Sequence, residues 1–169
     1  MKPLLVLRPE PGASATISQA RARGLEAVAC PLFCIEPVAW SVDPQTPYDA
    51  LFVTSANAIR HGGSKLAKLR NHVLLAVGPA TAEAAEAAGF TDIVTGTADG
   101  AALADLAAAL GHVHLLHLAG DPRTPIDHPN LRFDVKIVYQ SFENKDINPL
   151  IEHLDAPCVA LVHSPRAAR

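Results

Sequence analysis

Two stretches of this chain place hydroxyl side chains where a ligand could meet them. Residues 51–60, Leu-Phe-Val-Thr-Ser-Ala-Asn-Ala-Ile-Arg, form an apolar run of strand length that ends on Thr54 and Ser55 and continues as the opening of a helix. Residues 160–169, Ala-Leu-Val-His-Ser-Pro-Arg-Ala-Ala-Arg, repeat the pattern in shorter form and put Ser164 at the corner. A strand–turn–helix corner gathers a hydroxyl and unpaired backbone N–H groups at the carboxyl end of a strand, where open α/β sheets bind ligands. Gly78-Pro79-Ala80-Thr81 makes another such turn, with Thr81 as its hydroxyl. The chemistry on offer is anion binding by N–H groups and hydroxyls that carry no formal charge. Any one of these hydroxyls could do no more than cap its own helix. Recurrence at Thr54, Ser55, Thr81 and Ser164 favours binding.

Other chemistries have less behind them. Arg8 and Arg60 stand near a strand end and just past a corner, where each could meet a carboxylate or simply lie in solvent. His112, His114 and His117 suggest a metal, with His112 and His114 on one strand face, but no further ligand is spaced to help, so no metal is expected. Residues 96–100 are too irregular for a dinucleotide fingerprint. Cys30 and Cys34 read as small buried apolar residues.

At 169 residues, 49% of them hydrophobic, the chain can bury a core as one domain or two small ones. A formal net charge of -3 and a pI of about 6.2 argue against a nucleic-acid partner recognised through a basic surface. Cys30, Cys34 and Cys158 make an odd count without CxxC spacing, which fits a reducing compartment. The first residues hold too short an apolar run for a signal peptide, and no window approaches the ~20 apolar residues of a membrane span. The expectation is a soluble cytoplasmic protein with no membrane partner.

The elements that must position these residues follow from punctuation and period. Residues 4–7 read as a buried parallel strand broken by Arg8-Pro9-Glu10-Pro11-Gly12. Residues 14–23 have helical spacing up to Gly24, 26–30 form a strand, and 31–38 are extended because their prolines bar a helix. After a polar loop at 40–48 come the strand at 51, a basic solvated segment at 65–70 and a strand at 73–77. The turn at 78–81 opens an Ala/Glu helix that Gly89 ends, and a brief strand follows at 93–94. Residues 100–110 predict a helix with Leu103, Leu106 and Leu110 on one face. A strand at 113–118 is closed by Ala119-Gly120-Asp121-Pro122-Arg123. This alternation predicts an α/β fold, a parallel sheet with helices on both faces. The last third echoes the first: 114–120 followed by 134–142 resembles 4–12 followed by 26–33, and a Ser corner comes after each. About 50 residues of βα units follow the first corner and nothing matches them after the second. The pattern predicts a carboxyl-terminally shortened form of a two-lobed protein.

Several pieces in fixed order carry a family resemblance. They are Leu7-Arg8-Pro9, Pro31-Leu32-Phe33 leading to Ile35-Glu36-Pro37, and Tyr48-Asp49 ahead of Phe52-Val53-Thr54-Ser55-Ala56-Asn57-Ala58. Val77-Gly78-Pro79-Ala80-Thr81-Ala82, Ala98-Asp99-Gly100-Ala101-Ala102-Leu103, Gly120-Asp121 and Val138-Tyr139-Gln140 continue the series. Together they resemble the uroporphyrinogen-III synthase family, lyases of porphyrin and heme biosynthesis. The resemblance implies two flavodoxin-like lobes with parallel sheets joined by a two-stranded linker, one lobe being residues 1–36 plus 141–169 and the other 37–140. It leaves the first lobe incomplete, without its Gly-Pro-Thr-type turn. It implies a cofactor-free enzyme that cyclises hydroxymethylbilane in the cleft between the lobes, giving uroporphyrinogen III with the last pyrrole ring inverted and water lost.

By the same resemblance Tyr139 faces the cleft and helps the hydroxymethyl group leave as water. A phenol with pKa near 10 donates a hydrogen bond at neutral pH. The alternative is an aromatic that packs between the lobes. Arg8, Thr54, Ser55, Thr81, Gly120 and Ser164 are the residues expected to bind the substrate's carboxylates. The full-length form is expected to be a monomer, whereas a bare strand at 159–162 would drive self-association of a shortened chain. The rival expectation is a non-catalytic relative or inactive fragment that binds a tetrapyrrole or a small anion.

Overall fold

A computed structural model describes residues 2–43, 45–163 and 167–168. They divide into two compact units, Met1–Ile35 with Ser141–Arg169, and Glu36–Gln140. Ser164, one of the expected ligand-binding hydroxyls, lies outside the described residues.

The larger unit is built on β4 (Ala50–Val53), β5 (Val73–Ala76), β6 (Ile93–Thr95), β7 (His114–Asp121) and β8 (Arg132–Glu143). β4 and β5, and β7 apart from its histidines and Asp121, are apolar runs bounded by turns, the pattern of strands buried on both faces, whereas β8 mixes apolar residues with Arg132, Asp134 and Lys136 and is largely half-buried. With β3 (Phe33–Pro37) they form one sheet in the order β3-β8-β7-β4-β5-β6. The four pairings from β8 to β6 are parallel. From β4 the chain steps outward to β5 and β6, then returns so that β7 lies on the other side of β4 and β8 beyond it. The order therefore reverses between β4 and β7. In a doubly wound sheet the carboxyl ends of the strands flanking such a reversal border the ligand crevice.

Alternation along the strands feeds two cores. On one face Leu51, Val53, Leu74, Ala76, Leu116 and Leu118 meet Ala58 and Ile59 of α2 (Ala56–His61) and Ala82 and Ala85 of α3 (Pro79–Ala87). On the other, Ala50, Phe52, Leu75 and Leu115 meet Leu103, Ala104 and Ala107 of α4 (Gly100–Ala109). Each fully buried Leu or Phe contributes on the order of 1.5–3 kcal/mol. The chain leaves α3 at Gly89, whose φ of 88° is the left-handed conformation that a glycine takes readily.

Three expectations are corrected here. Leu110 does not share the buried face of α4; it is the C-cap residue, past the last helical turn, and is 51% exposed. His112 precedes β7 and so shares no strand face with His114. Residues 65–70 are not simply solvated: a 3-10 helix, Gly63–Leu69, buries Leu66 and Leu69. The crossover from β7 to β8 also has no helix, because Pro122, Pro125 and Pro129 interrupt it, although its Ile126 still packs on the α4 core.

In the smaller unit β1 (Leu4–Val6) lies between β2 (Ala27–Ala29) and β9 (Val159–Leu161), parallel to both. The unit's buried apolar residues are Leu5, Val6, Leu7, Ala13, Ala20, Ala27 and Cys30, of which Leu5, Leu7 and Cys30 pack as one cluster. α1 (Gly12–Ala22) starts earlier than the sequence spacing predicts, because the Glu10 carboxylate accepts the Ser14 N–H at 3.1 Å and its hydroxyl at 2.9 Å. A short α5 (Asn148–Ile151) follows β8. No helix among the described residues is long and apolar enough to cross a membrane.

Candidate functional site

The reversal between β4 and β7 puts Thr54 at the end of one strand and Gly120 near the end of the other. Thr54 follows β4 on the face that carries Phe52, since side chains two residues apart share a face. Its Oγ1 lies 3.3 Å from Nε2 of His117. Its methyl group points toward the start of α4, where a Cβ on Gly100 would come within 3.4 Å of it. Ser55 does what a cap does: its Oγ accepts the Asn57 N–H at 3.2 Å at the start of α2. The hydroxyl proton of Ser55 remains available to donate.

His117 is only 2% exposed and sits edge-on to Phe52 at 5.1 Å, with Phe133 6.2 Å away. Burial, reinforced by the nearby Arg123 charge, pushes its pKa down to about 4, so the ring is neutral at neutral pH. The sequence did offer a sign of it, one polar residue inside the otherwise apolar run Leu-Leu-His-Leu of a two-sided buried strand.

The opposite face holds a second group. β7 and β8 run in register from His114 opposite Arg132 to Ala119 opposite Ile137, then shift so that Gly120 faces Tyr139. Val138 is the extra residue of a β-bulge, and as a result Val138 and Tyr139 both reach the α2/α3 core. The Tyr139 ring lies directly over Gly120: a Cβ there would run into the ring and stand 2.6 Å from the hydroxyl oxygen. His61, in the last turn of α2, lies 6.1 Å from Tyr139 between ring centroids. Burial first, then Arg60, lowers the His61 pKa, so this ring too favours its neutral form.

The remaining expected residues are dispersed. Thr81 is 4% exposed and sits inside α3, whose N-cap is Gly78. Arg8 lies in the smaller unit, where its guanidinium Nη2 would be 2.7 Å from a Cβ on Gly12 at the start of α1. Arg60 is exposed and reaches Asn57 Oδ1 at 3.4 Å. Among the described residues no three His, Cys, Asp or Glu side chains group as metal ligands.

Charged groups also collect at the amino ends of the strands, where they serve the fold. Asp49 Oδ2 accepts the N–H groups of His114 and Val113, each at 2.8 Å, which holds its carboxyl below the usual range. Asp134 accepts the Tyr48 hydroxyl at 3.2 Å and stands 3.2 Å from His114 Nε2, off line for a hydrogen bond. Burial raises the Asp134 pKa, but His114 and Arg132 outweigh it and the net shift is downward.

Fold and site define a doubly wound α/β protein whose strands at the reversal carry hydroxyls, a neutral imidazole and a phenol toward their carboxyl ends. The chain belongs to the uroporphyrinogen-III synthase family: the family model described as uroporphyrinogen-III synthase HemD matches residues 14–169. A solved mutant uroporphyrinogen III synthase from Thermus thermophilus is similar in fold, with a TM-score of 0.52 at 15% identity over 85% of this chain and 64% of that one. Two further Thermus thermophilus uroporphyrinogen III synthase structures match at 15% identity over 85% of this chain. Their TM-scores are 0.41 and 0.38, over 64% and 63% of their own lengths. The chain thus spans less than two thirds of the solved proteins it matches. No curated protein matches it in sequence.

Proposed function

We propose that the chain carries the uroporphyrinogen-III synthase activity of its family: cyclisation of hydroxymethylbilane to uroporphyrinogen III, with the last pyrrole ring inverted and water lost. The observation that supports it most is Tyr139 seated on Gly120 by the bulge, at the strand end beside the sheet's reversal. In this reading the Tyr139 phenol donates a hydrogen bond to the hydroxymethyl oxygen as its C–O bond breaks. The departing hydroxide and the proton of the pyrrole N–H leave together as water, and the nitrogen's electrons form the azafulvene left behind. The substituted carbon of the last ring then attacks to give a spiro intermediate, which reopens and recloses with that ring inverted. Holding one folded conformation of a flexible substrate is the main contribution to rate.

Thr54, Ser55, Gly120, Arg8 and Ser164 are proposed to meet the substrate's carboxylates. Thr81 is buried, and so enters the reading as support for the first turn of α3. The division into lobes 1–36 plus 141–169 and 37–140, joined by a two-stranded linker, belongs to the same proposal, with β3 and β8 as the linker strands. It is supported by their neighbouring places in the sheet and by the Val38 N–H donating to the Val138 carbonyl at 2.9 Å.

The test supplies freshly made hydroxymethylbilane and resolves the type I and type III isomers. Type III in excess of the spontaneous type I product is expected, and only type I would refute the activity. Tyr139→Phe should slow type III formation by roughly 10-fold or more, as loss of a proton-handling group does. An unchanged rate would return Tyr139 to packing.

A further inference from the structure

We infer that His117 is a positioning residue for Thr54: its Nε2–H donates to the Thr54 hydroxyl oxygen and so turns the Thr54 proton outward, toward a substrate carboxylate. The inference rests on the function proposed above and adds to it a residue that only the folded chain brings to the site.

The surroundings of His117 are those of a phenylalanine. Phe52 and Phe133 hold it by ring edges and it is 2% exposed. What a histidine adds in such a slot is a nitrogen, and Nε2 lies 3.3 Å from Thr54 Oγ1. Thr54 is fixed on its other side too. Its methyl group stands 3.4 Å from where a Gly100 Cβ would be, with Ile126 beside the same glycine. A β-branched side chain is stiff at χ1, so a methyl directed at Gly100 and an oxygen directed at His117 define one rotamer.

The proton then decides what Thr54 can do. A neutral imidazole has one donor nitrogen and one acceptor nitrogen. If Nε2 were the acceptor, the Thr54 proton would be spent on it and the hydroxyl could only accept. With Nε2–H as donor, the Thr54 proton is free to donate, which a carboxylate requires. Arg123 is the charged group that bears on His117. The ring stays neutral at neutral pH because protonation inside this slot is costly.

The test uses the full chain with 15N-labelled histidine. A pyrrole-type Nε2 resonance for His117 that moves in Thr54→Val is expected; a pyridine-type Nε2, or no response, overturns the inference. Kinetics with hydroxymethylbilane give the second arm. His117→Phe keeps the packing, and should raise KM ~10-fold, in line with losing alignment of a hydrogen bond to a charged group, with kcat far less affected. His117→Gln should recover most of that loss, because its amide reaches the ε position. Adding Thr54→Val to His117→Phe should cost nothing beyond Thr54→Val alone. An unchanged KM in His117→Phe, or additive losses, would refute the role. A wild-type chain that yields only type I isomer refutes the activity, and the tautomer then decides the His117–Thr54 bond by itself.

Discussion

His117 binds a proton more readily in the unfolded chain than between Phe52 and Phe133, so its burial ties stability to pH. Its folded pKa is pushed down to about 4 from an ordinary 6.5. Between those values the unfolded state holds the extra proton, and stability falls as pH drops through the window. The size is roughly 3 kcal/mol, fully present above pH 6.5 and gone near pH 4. His61 acts in the same direction, since its pKa is also lowered. The lowered Asp49 and Asp134 act below the window, where stability is lost as their carboxylates take up protons. Urea unfolding from pH 7 to pH 4 should therefore show a steady loss, and His117→Phe should flatten most of it. A variant with the wild-type slope would mean that the proton is bound elsewhere. At this scale the corner at Thr54 and Ser55 was legible in the sequence because a strand that ends on hydroxyls announces itself by residue type, whereas Thr81, read as a turn hydroxyl, lies buried inside α3. The neutral imidazole beside Thr54 was less so, because its partner comes from a strand more than sixty residues away.

The bulge between β7 and β8 shows what one extra residue does to an element. Strict alternation would send Val138 and Tyr139 to opposite faces, yet both reach the α2/α3 core. The Tyr139 ring finds room because residue 120 has no side chain. Gly120→Ala should consequently force the ring aside. Crowding of this kind costs ~1–3 kcal/mol, and type III formation should fall about as far as in Tyr139→Phe. Thermal unfolding and isomer analysis on one preparation check both; an unchanged Tm would mean that the ring has other room. Strands were legible because continuous apolar runs between turns admit few readings, as at residues 73–77. The bulge was not, since it depends on how two strands align. Leu110 misled for a related reason: its helical spacing from Leu103 is correct, but the helix stops before it.

Across the whole molecule the buried apolar surface is unevenly shared. Glu36–Gln140 has a sheet covered on both faces, with Phe52, Leu51, Leu74, Leu75, Leu115 and Leu116 wholly buried. The other unit buries only Leu5, Val6, Leu7 and Cys30 and three alanines, Ala13, Ala20 and Ala27, among the described residues, while Val159 at the start of β9 is 49% exposed and Val162 just after it 43%. The alternation of strand and helix made the larger unit's parallel sheet legible. It could not show how little of β9 is covered, because a strand's neighbours are not written in its own residues. Opening free energies follow the apolar surface an element covers, and each ~1.4 kcal/mol between two elements is a tenfold difference in exchange rate. Amides of β4 and β7 should therefore exchange at least ~100-fold more slowly than those of β1, and β9 should exchange fastest of the four. Hydrogen exchange read by mass spectrometry across Ala50–Val53, His114–Asp121, Leu4–Val6 and Val159–Leu161 measures this directly. Equal protection of β1 and β4 would mean that the two units open as one. Protection of β9 that rises with protein concentration would mean that a second copy of the chain pairs along its edge, as the exposed Val159 favours.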